Sequence, residues 1–281
     1  KDSLMNLATT NEAGAIYNTY PNSFKNEDGS VNWLPVCADA HGLVVNRDLF
    51  VQYGIPLPTD YASFVAACKA FEEVGIRGFT ADYLYDYTCM ETLQGLSAGE
   101  LTTIAGRKWR TAYSDPANNT RVGLDDTVWP GGFERMEQFI QDTGLTAADL
   151  ELNYDDVVEM FGNGQLAMYF GSSAGVGMFQ EQGIDATFLP IFSQNGEKWL
   201  MTTPYFQVAL NRDLEQDPTR REKAMQILHV MLSEDAQEQI LAEGQDLLSY
   251  RQSVSYHLTD TMNDVRSVVE EHHTCVRNAP H

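Results

Sequence analysis

The feature that most constrains this chain is alternation. Short apolar runs that read as strands recur, separated by segments whose apolar residues return at helical spacing. The strand-like runs are Gly42–Val45, Ile76–Ala81, Leu166–Phe170, Thr187–Phe192 and Phe206–Leu210. Between the first two, Tyr61, Phe64, Val65, Cys68 and Phe71 form a helical stripe that faces a core. Thr59 is its expected N-cap and Gly75 its stop. Phe133–Thr143 reads as a helix closed by Gly144. Asn153 caps another helix, with Tyr154 and Phe161 on its core stripe. Two amphipathic helices follow at about 219–232 and 234–243, and the tail at 250–275 is helical again. Residues 102–132 read as loop, with Trp109, Tyr113 and Trp129 inside. Alternating β and α predicts an α/β protein with mostly parallel sheets.

Size and charge narrow the function classes. With 281 residues the chain is one large domain or two ordinary ones. It carries 18 Lys+Arg against 40 Asp+Glu, a net charge of −22. Such a field repels a phosphate backbone, so nucleic acid is excluded as an expected partner. No apolar run reaches the ~18 residues of a membrane span. Cys37, Cys68, Cys89 and Cys275 contain no CxxC pair and make no disulfide framework; they read as isolated thiols, Cys68 on the apolar helix face. The start at Lys1, without an initiator Met, suggests a mature product, a fragment or a trimmed chain.

The common chemical motifs are absent. There is no GxGxxG, no P-loop, no GxSxG and no HExxH. Gly171-Ser172-Ser173-Ala174-Gly175 reads as a tight turn, not as a nucleophile elbow. His272 and His273 point to different helix faces, so they and Cys275 predict no metal site. No cofactor is expected. Asn118-Asn119-Thr120 matches the glycosylation sequon, which matters only in a eukaryotic secreted chain. Asp82, Asp86 and Glu91 lie near Tyr83, Tyr85 and Tyr87. They could serve as a glycosidase-like acid/base pair or as a hydrogen-bonding loop.

Four segments carry a family resemblance. Gly42-Leu43-Val44-Val45-Asn46-Arg47-Asp48-Leu49-Phe50 resembles the strand and Tyr-Asn-Lys-Asp-Leu-Phe segment of the family 1 extracellular solute-binding proteins of bacterial ABC transporters. Val45 replaces the usual Tyr and Arg47 the usual Lys. Gly54–Phe64 resembles the family's Gly-Leu-x-x-Pro-x-Thr-Trp-x-Glu-Phe. Phe161–Met168 resembles Phe-x-x-Gly-x-Ala-Ala-Met, and Ala224–Gln237 resembles Phe-Leu-x-x-Leu-x-Ser-x-Glu-Ala-Gln. The four occur in family order and cover about residues 30–245.

The resemblance implies a periplasmic-binding-protein type II fold: two discontinuous α/β lobes with ligand in the cleft between them. By that map residues 1–40 and 190–247 form the first lobe, and 41–189 and 248–281 the second. The family's opening strand–helix–strand set has no match here, so the first lobe is expected to be incomplete and to leave apolar surface uncovered. The implied function is an extracellular receptor, periplasmic or lipid-anchored. It would capture a carbohydrate, an oligosaccharide by preference, and deliver it to the permease subunits of an ABC importer without covalent chemistry.

Sugar recognition needs flat aromatic faces and planar polar groups together. The run Asp82, Tyr83, Tyr85, Asp86, Tyr87 supplies both, where the resembled sugar binders place an acidic-aromatic ligand loop. Asp39 and His41 fall at the first crossover. Ser172 and Ser173 occupy the loop where the family commonly has an aromatic platform, and no Trp stands there. Trp199, Tyr205 and Tyr250 lie near the remaining crossovers, and packing is the rival role for Trp199 as for Trp109 and Trp129. The alternatives are a non-sugar solute, a carbohydrate-active hydrolase using Asp82, Asp86 or Glu91, and an adhesion or scaffolding domain that kept the fold and lost the ligand.

Overall fold

The computed structural model describes residues 3–17, 26, 28–114, 122–123, 129–243, 247–249, 259–271 and 273–277. In chain order its elements are α1 (Asn11–Tyr17), β1 (Leu34–Asn46), α2 (Arg47–Tyr53), α3 (Tyr61–Glu73), β2 (Arg77–Thr80), α4 (Asp86–Leu96), α5 (Ala98–Leu101), α6 (Ile104–Ser114), α7 (Trp129–Thr143), α8 (Tyr154–Gly162), β3 (Leu166–Ser172), α9 (Val176–Glu181), β4 (Ala186–Leu189), β5 (Ile191–Phe192), β6 (Lys198–Val208), α10 (Pro218–Met231), α11 (Glu234–Glu243), α12 (Arg266–Glu270) and β7 (Thr274–Val276). Contacts divide the chain into two compact units. Unit 1 is Lys1–Ala40 with Thr203–Thr259, and unit 2 is His41–Thr202 with Asp260–His281. Residues 190–202 thus group with unit 2. The chain passes from one unit to the other inside β1 and returns inside β6.

Unit 2 holds the larger core. The β1 residues from His41 onward pair antiparallel with β3 on one side and with β4 on the other, and β2 runs parallel to β3. The β6 residues Leu200 to Thr202 run parallel to β7, and β5 folds back antiparallel on β6. The sheet is therefore mixed, and the expectation of mostly parallel pairing fails. Strand β1 enters unit 2 from unit 1 without a crossover helix, so nothing forces it parallel to β3.

Phe64, Phe79 and Phe139 anchor this core. The ring centroids of Phe64 and Phe79 are 5.5 Å apart, and those of Phe79 and Phe139 5.4 Å, both edge-to-face. Each buried ring contributes about 1.5–3 kcal/mol of burial energy. The stripe read from the sequence supplies part of it, since Phe64, Cys68 and Phe71 are buried on α3. Asp60, not Thr59, caps α3: its carboxylate accepts from the Ser63 N–H while the Ser63 hydroxyl serves the Asp60 N–H, a reciprocal capping box. Those bonds hold the exposed Asp60 carboxyl below its ordinary value. Asn153 and Asp156 make the same box at α8.

Other expectations fail in this unit. Much of the stretch read as loop at 102–132 is helical, as α6 and the start of α7, with Trp109 and Trp129 buried against each other. The polar face of α6 hid its period from a search for apolar runs. The described part of the tail ends in a strand, β7, because Thr274 to Val276 find a free ladder on β6. The sequon at 118–120 and His272 lie outside the described residues.

In unit 1, β1 residues Leu34 to Ala40 are all buried. Ala38 exchanges both backbone hydrogen bonds with Leu248. The Gln237 amide donates to the Val36 carbonyl at 2.7 Å and accepts from the Ser249 hydroxyl at 2.7 Å, tying α11 to the strand. Asp217 caps α10, with Pro218 at its first position.

Candidate functional site

Several candidate residues converge at one edge of the unit 2 sheet. Strands β2 and β3 are parallel, with Thr80 opposite Tyr169, so both carboxyl ends open on the same side. The loop 81–85 leaves β2 there, and Ser172 ends β3 there. His41, where β1 enters unit 2, pairs with Ser172. Ligands of α/β sheets settle at such carboxyl ends because the loops there can be polar while the strands stay buried.

The loop after β2 carries an aromatic pair. Tyr85 and Tyr87 stack with centroids 5.2 Å apart and planes 10° from parallel. Their exposures, 37% and 43%, are far above those of core rings. Tyr83 points inward, buried, its hydroxyl 3.3 Å from that of Thr92. The half-buried Asp82 accepts from the Thr88 hydroxyl at 2.9 Å and from the Tyr87 hydroxyl at 3.4 Å. Burial raises the Asp82 carboxyl above its ordinary value despite these two donors. Burial and the Asp82 charge likewise raise the Tyr87 phenol. Asp86, exposed, opens α4 and favours its positive end.

Behind the pair sits a buried carboxylate. Glu91 on α4 is 2% exposed, and its Oε2 accepts from the Arg277 guanidinium at 3.1 Å. Its Oε1 lies 3.1 Å from His41 Nδ1, within reach of charge attraction but without hydrogen-bond alignment. The Arg277 guanidinium in turn lies over the Tyr87 ring, 5.4 Å from its centroid. Glu91, Arg277, Tyr87 and Asp82 thus form one connected chain of contacts.

On β3, Gly171 is required by close approach: a Cβ there would fall 2.3 Å from the Tyr169 ring. Tyr169 is buried, and its phenol is raised by burial first and then by Tyr154 and Asp82, so those two groups share its surroundings. Ser172 caps the short turn that follows, and Ser173 is buried. Trp199 is also buried, its ring stacked on His273 at 4.9 Å and its indole N–H donating to Glu197.

The remaining candidates are in unit 1. Asp39 is buried, and its charge adds to the burial that pushes the Cys37 thiol up to about 12. Tyr205 is exposed and meets Phe206 edge-to-face at 4.5 Å. Phe206 has φ of +49°, a left-handed conformation that costs an aromatic residue about 1 kcal/mol. Tyr250 lies outside the described residues.

Two participants escape the sequence reading. Arg277 is far from the loop in sequence and carries no motif. Tyr154 was assigned to a core stripe, yet it is 46% exposed. Its place as the first residue of α8, directly after the Asn153 cap, was the available signal, because a first-turn side chain need not face the core. Among the described residues no cluster of three His, Cys, Asp or Glu side chains could hold a metal ion, and no helix is long and apolar enough to cross a membrane.

The family model for bacterial extracellular solute-binding proteins matches residues 1–264. The chain belongs to this family. No curated protein sequence matches it significantly. Solved structures of solute-binding proteins do resemble it in fold. The solute-binding protein RafE in complex with raffinose aligns with a TM-score of 0.68 at 14% identity, over 98% of this chain and 70% of that one. The maltose-maltodextrin binding protein of Alicyclobacillus acidocaldarius aligns at 0.65 and 16%, over 98% and 69%. A chitin oligosaccharide binding protein aligns at 0.64 and 18%, over 98% and 68%. The α/β fold of this solute-binding protein is that of the two-lobed periplasmic binding proteins.

Proposed function

We propose that this solute-binding protein captures a neutral saccharide and passes it, chemically unchanged, to an ABC importer. The observation that carries the reading is the exposed Tyr85–Tyr87 stack beside Asp82. A pyranose presents an apolar C–H face and a rim of hydroxyls. A flat ring pair takes the first and a carboxylate the second. Structures of similar fold include complexes or binders of raffinose, maltodextrin and chitin oligosaccharide, which supports the sugar class. Tyr154, Ser172 and His41 enter the reading as further contacts of unit 2. Asp39, Tyr205, Tyr250, Trp199 and Ser173 enter it on the sequence resemblance alone. Tyr83, which points inward, shapes the loop. A lipid anchor or a periplasmic location fits the same role.

The test is calorimetric titration with raffinose, stachyose, maltotriose and chitotriose, followed by chromatography of the recovered sugar. Saturable binding of at least one, recovered intact, is the expected result. A cleaved sugar would shift the reading to a hydrolase using Asp82, Asp86 or Glu91. Silence across the panel would shift it to a non-sugar solute.

A further inference from the structure

We infer that Arg277 is a positioning residue for the aromatic pair: anchored on the buried Glu91 carboxylate, its guanidinium holds Tyr87 as the buttress of the stack and leaves Tyr85 as the ring that meets ligand. The inference rests on the saccharide reading for its consequence, not for its geometry.

Three observations lead to it. First, Arg277 is fixed at both ends. Its backbone N–H donates to the Thr202 carbonyl at 2.9 Å, continuing the β6–β7 ladder. Its guanidinium bonds Glu91, which is 2% exposed and so cannot turn away to water. An arginine restrained in this way loses little further entropy when it packs on a ring. Second, the ring it packs on is Tyr87, at 5.4 Å, a distance at which the cation is attracted by the π face. Tyr87 is thereby contacted by Arg277, by the Tyr85 ring and, through its hydroxyl, by Asp82. Third, among the described residues the Tyr85 side chain shows the stack alone: Tyr85 begins α4 as its N-cap residue without a side-chain cap bond. One ring is held on several sides and its neighbour is presented. The Arg277 charge also opposes the raising of the Tyr87 phenol by burial and Asp82, which gives the contact a spectroscopic signature.

The experiment uses the whole chain with carbon-labelled tyrosine and reads ring signals by NMR, the Tyr87 signal being assigned with Tyr87→Phe. Arg277→Gln is expected to shift the Tyr87 ring signals and raise its phenol pKa, while the buried Tyr83 and Tyr169 signals stay in place and certify the fold. Arg277→Lys keeps a cation for Glu91 and is expected to restore the phenol pKa in part but not the ring shifts. It also keeps the test open if the Gln variant folds poorly. With whichever saccharide of the panel above binds the wild type, Arg277→Gln should weaken affinity about 3- to 10-fold. Unmoved Tyr87 signals in both variants would overturn the inference, as would a displaced Tyr87 with unchanged affinity. If no saccharide binds the wild type, the sugar reading fails, and the ring measurement alone decides the contact.

Discussion

Two of the arginine–carboxylate pairs in unit 2 are built to different standards. At the first, Asp149 is saturated. Its Oδ1 accepts from Arg77 and from the Thr80 hydroxyl, and its Oδ2 from Arg77, the Thr146 N–H and the Thr146 hydroxyl, all at 3.0 Å or less. At the second, Glu91 is more deeply buried yet accepts one aligned bond, from Arg277. Its other oxygen faces His41 without alignment. Burial of a charge is tolerated when every lone pair finds a donor, and the first pair meets that condition. The second does not, and it stands beside exposed tyrosines at a strand-end edge. The difference separates a brace from a site. Asp149 locks the end of β2 to the 146–151 turn, while Glu91 and Arg277 spend their bonding on orienting an exposed ring.

The largest effect should come from breaking the saturated pair. Asp149→Ala leaves the Thr80 hydroxyl and the Thr146 N–H without this acceptor and reduces the half-buried Arg77 to its bonds with Glu72 and the Gly144 carbonyl. It is expected to cost about 3 kcal/mol or more. Denaturant unfolding would read this as a lowered midpoint at unchanged slope. Glu91→Ala should cost less, because fewer donors are orphaned. If the two variants lose equal stability, the distinction between brace and site collapses.

The second effect concerns binding. Tyr85→Ala removes an exposed ring that makes no side-chain cap bond at the start of α4, so stability should change by under about 0.5 kcal/mol. Saccharide affinity should fall about 10-fold or more, since ring stacking on a sugar is lost outright. Tyr83→Phe offers the contrast: a buried hydroxyl is lost, stability falls by about 1 kcal/mol, and affinity holds. A Tyr85→Ala variant that binds normally would remove the stack from the site.

The same contrast explains what was legible in the sequence. The α3 stripe, the Asn153 cap, the Gly144 stop (φ +69°) and the acidic-aromatic loop are local: each is written within a few residues, and each could be read. The mixed pairing of the sheet was not legible, because it depends on where β1 comes from and not on what β1 contains. Arg277 joins Glu91 across 186 residues of chain, and Arg77 joins Asp149 across 72. No spacing rule marks such partners. Tyr154 shows the reverse failure. Helical periodicity alone assigned it inward, and the end of the helix, where the period has not yet engaged the core, put it outside.

The smallest effect is one of sign. Burial raises the Asp82 carboxyl, so its neutral form is favoured in the native state relative to the unfolded chain. A raised folded value means that the associated stability is present below the unfolded value near 3.8 and is lost as pH climbs through the higher folded one. Asp82 is partly exposed, and solvent screening keeps this loss small. Asp82→Asn fixes the neutral form and should flatten this decline in a pH series of unfolding curves. It should also weaken saccharide binding above the carboxyl's titration, because an amide replaces the charged acceptor that Thr88 and Tyr87 now share. A stability profile that declines identically in both proteins would mean that Asp82 is solvated like a surface acid. The charged rim of the tyrosine stack would then have to be assigned to Asp86 instead.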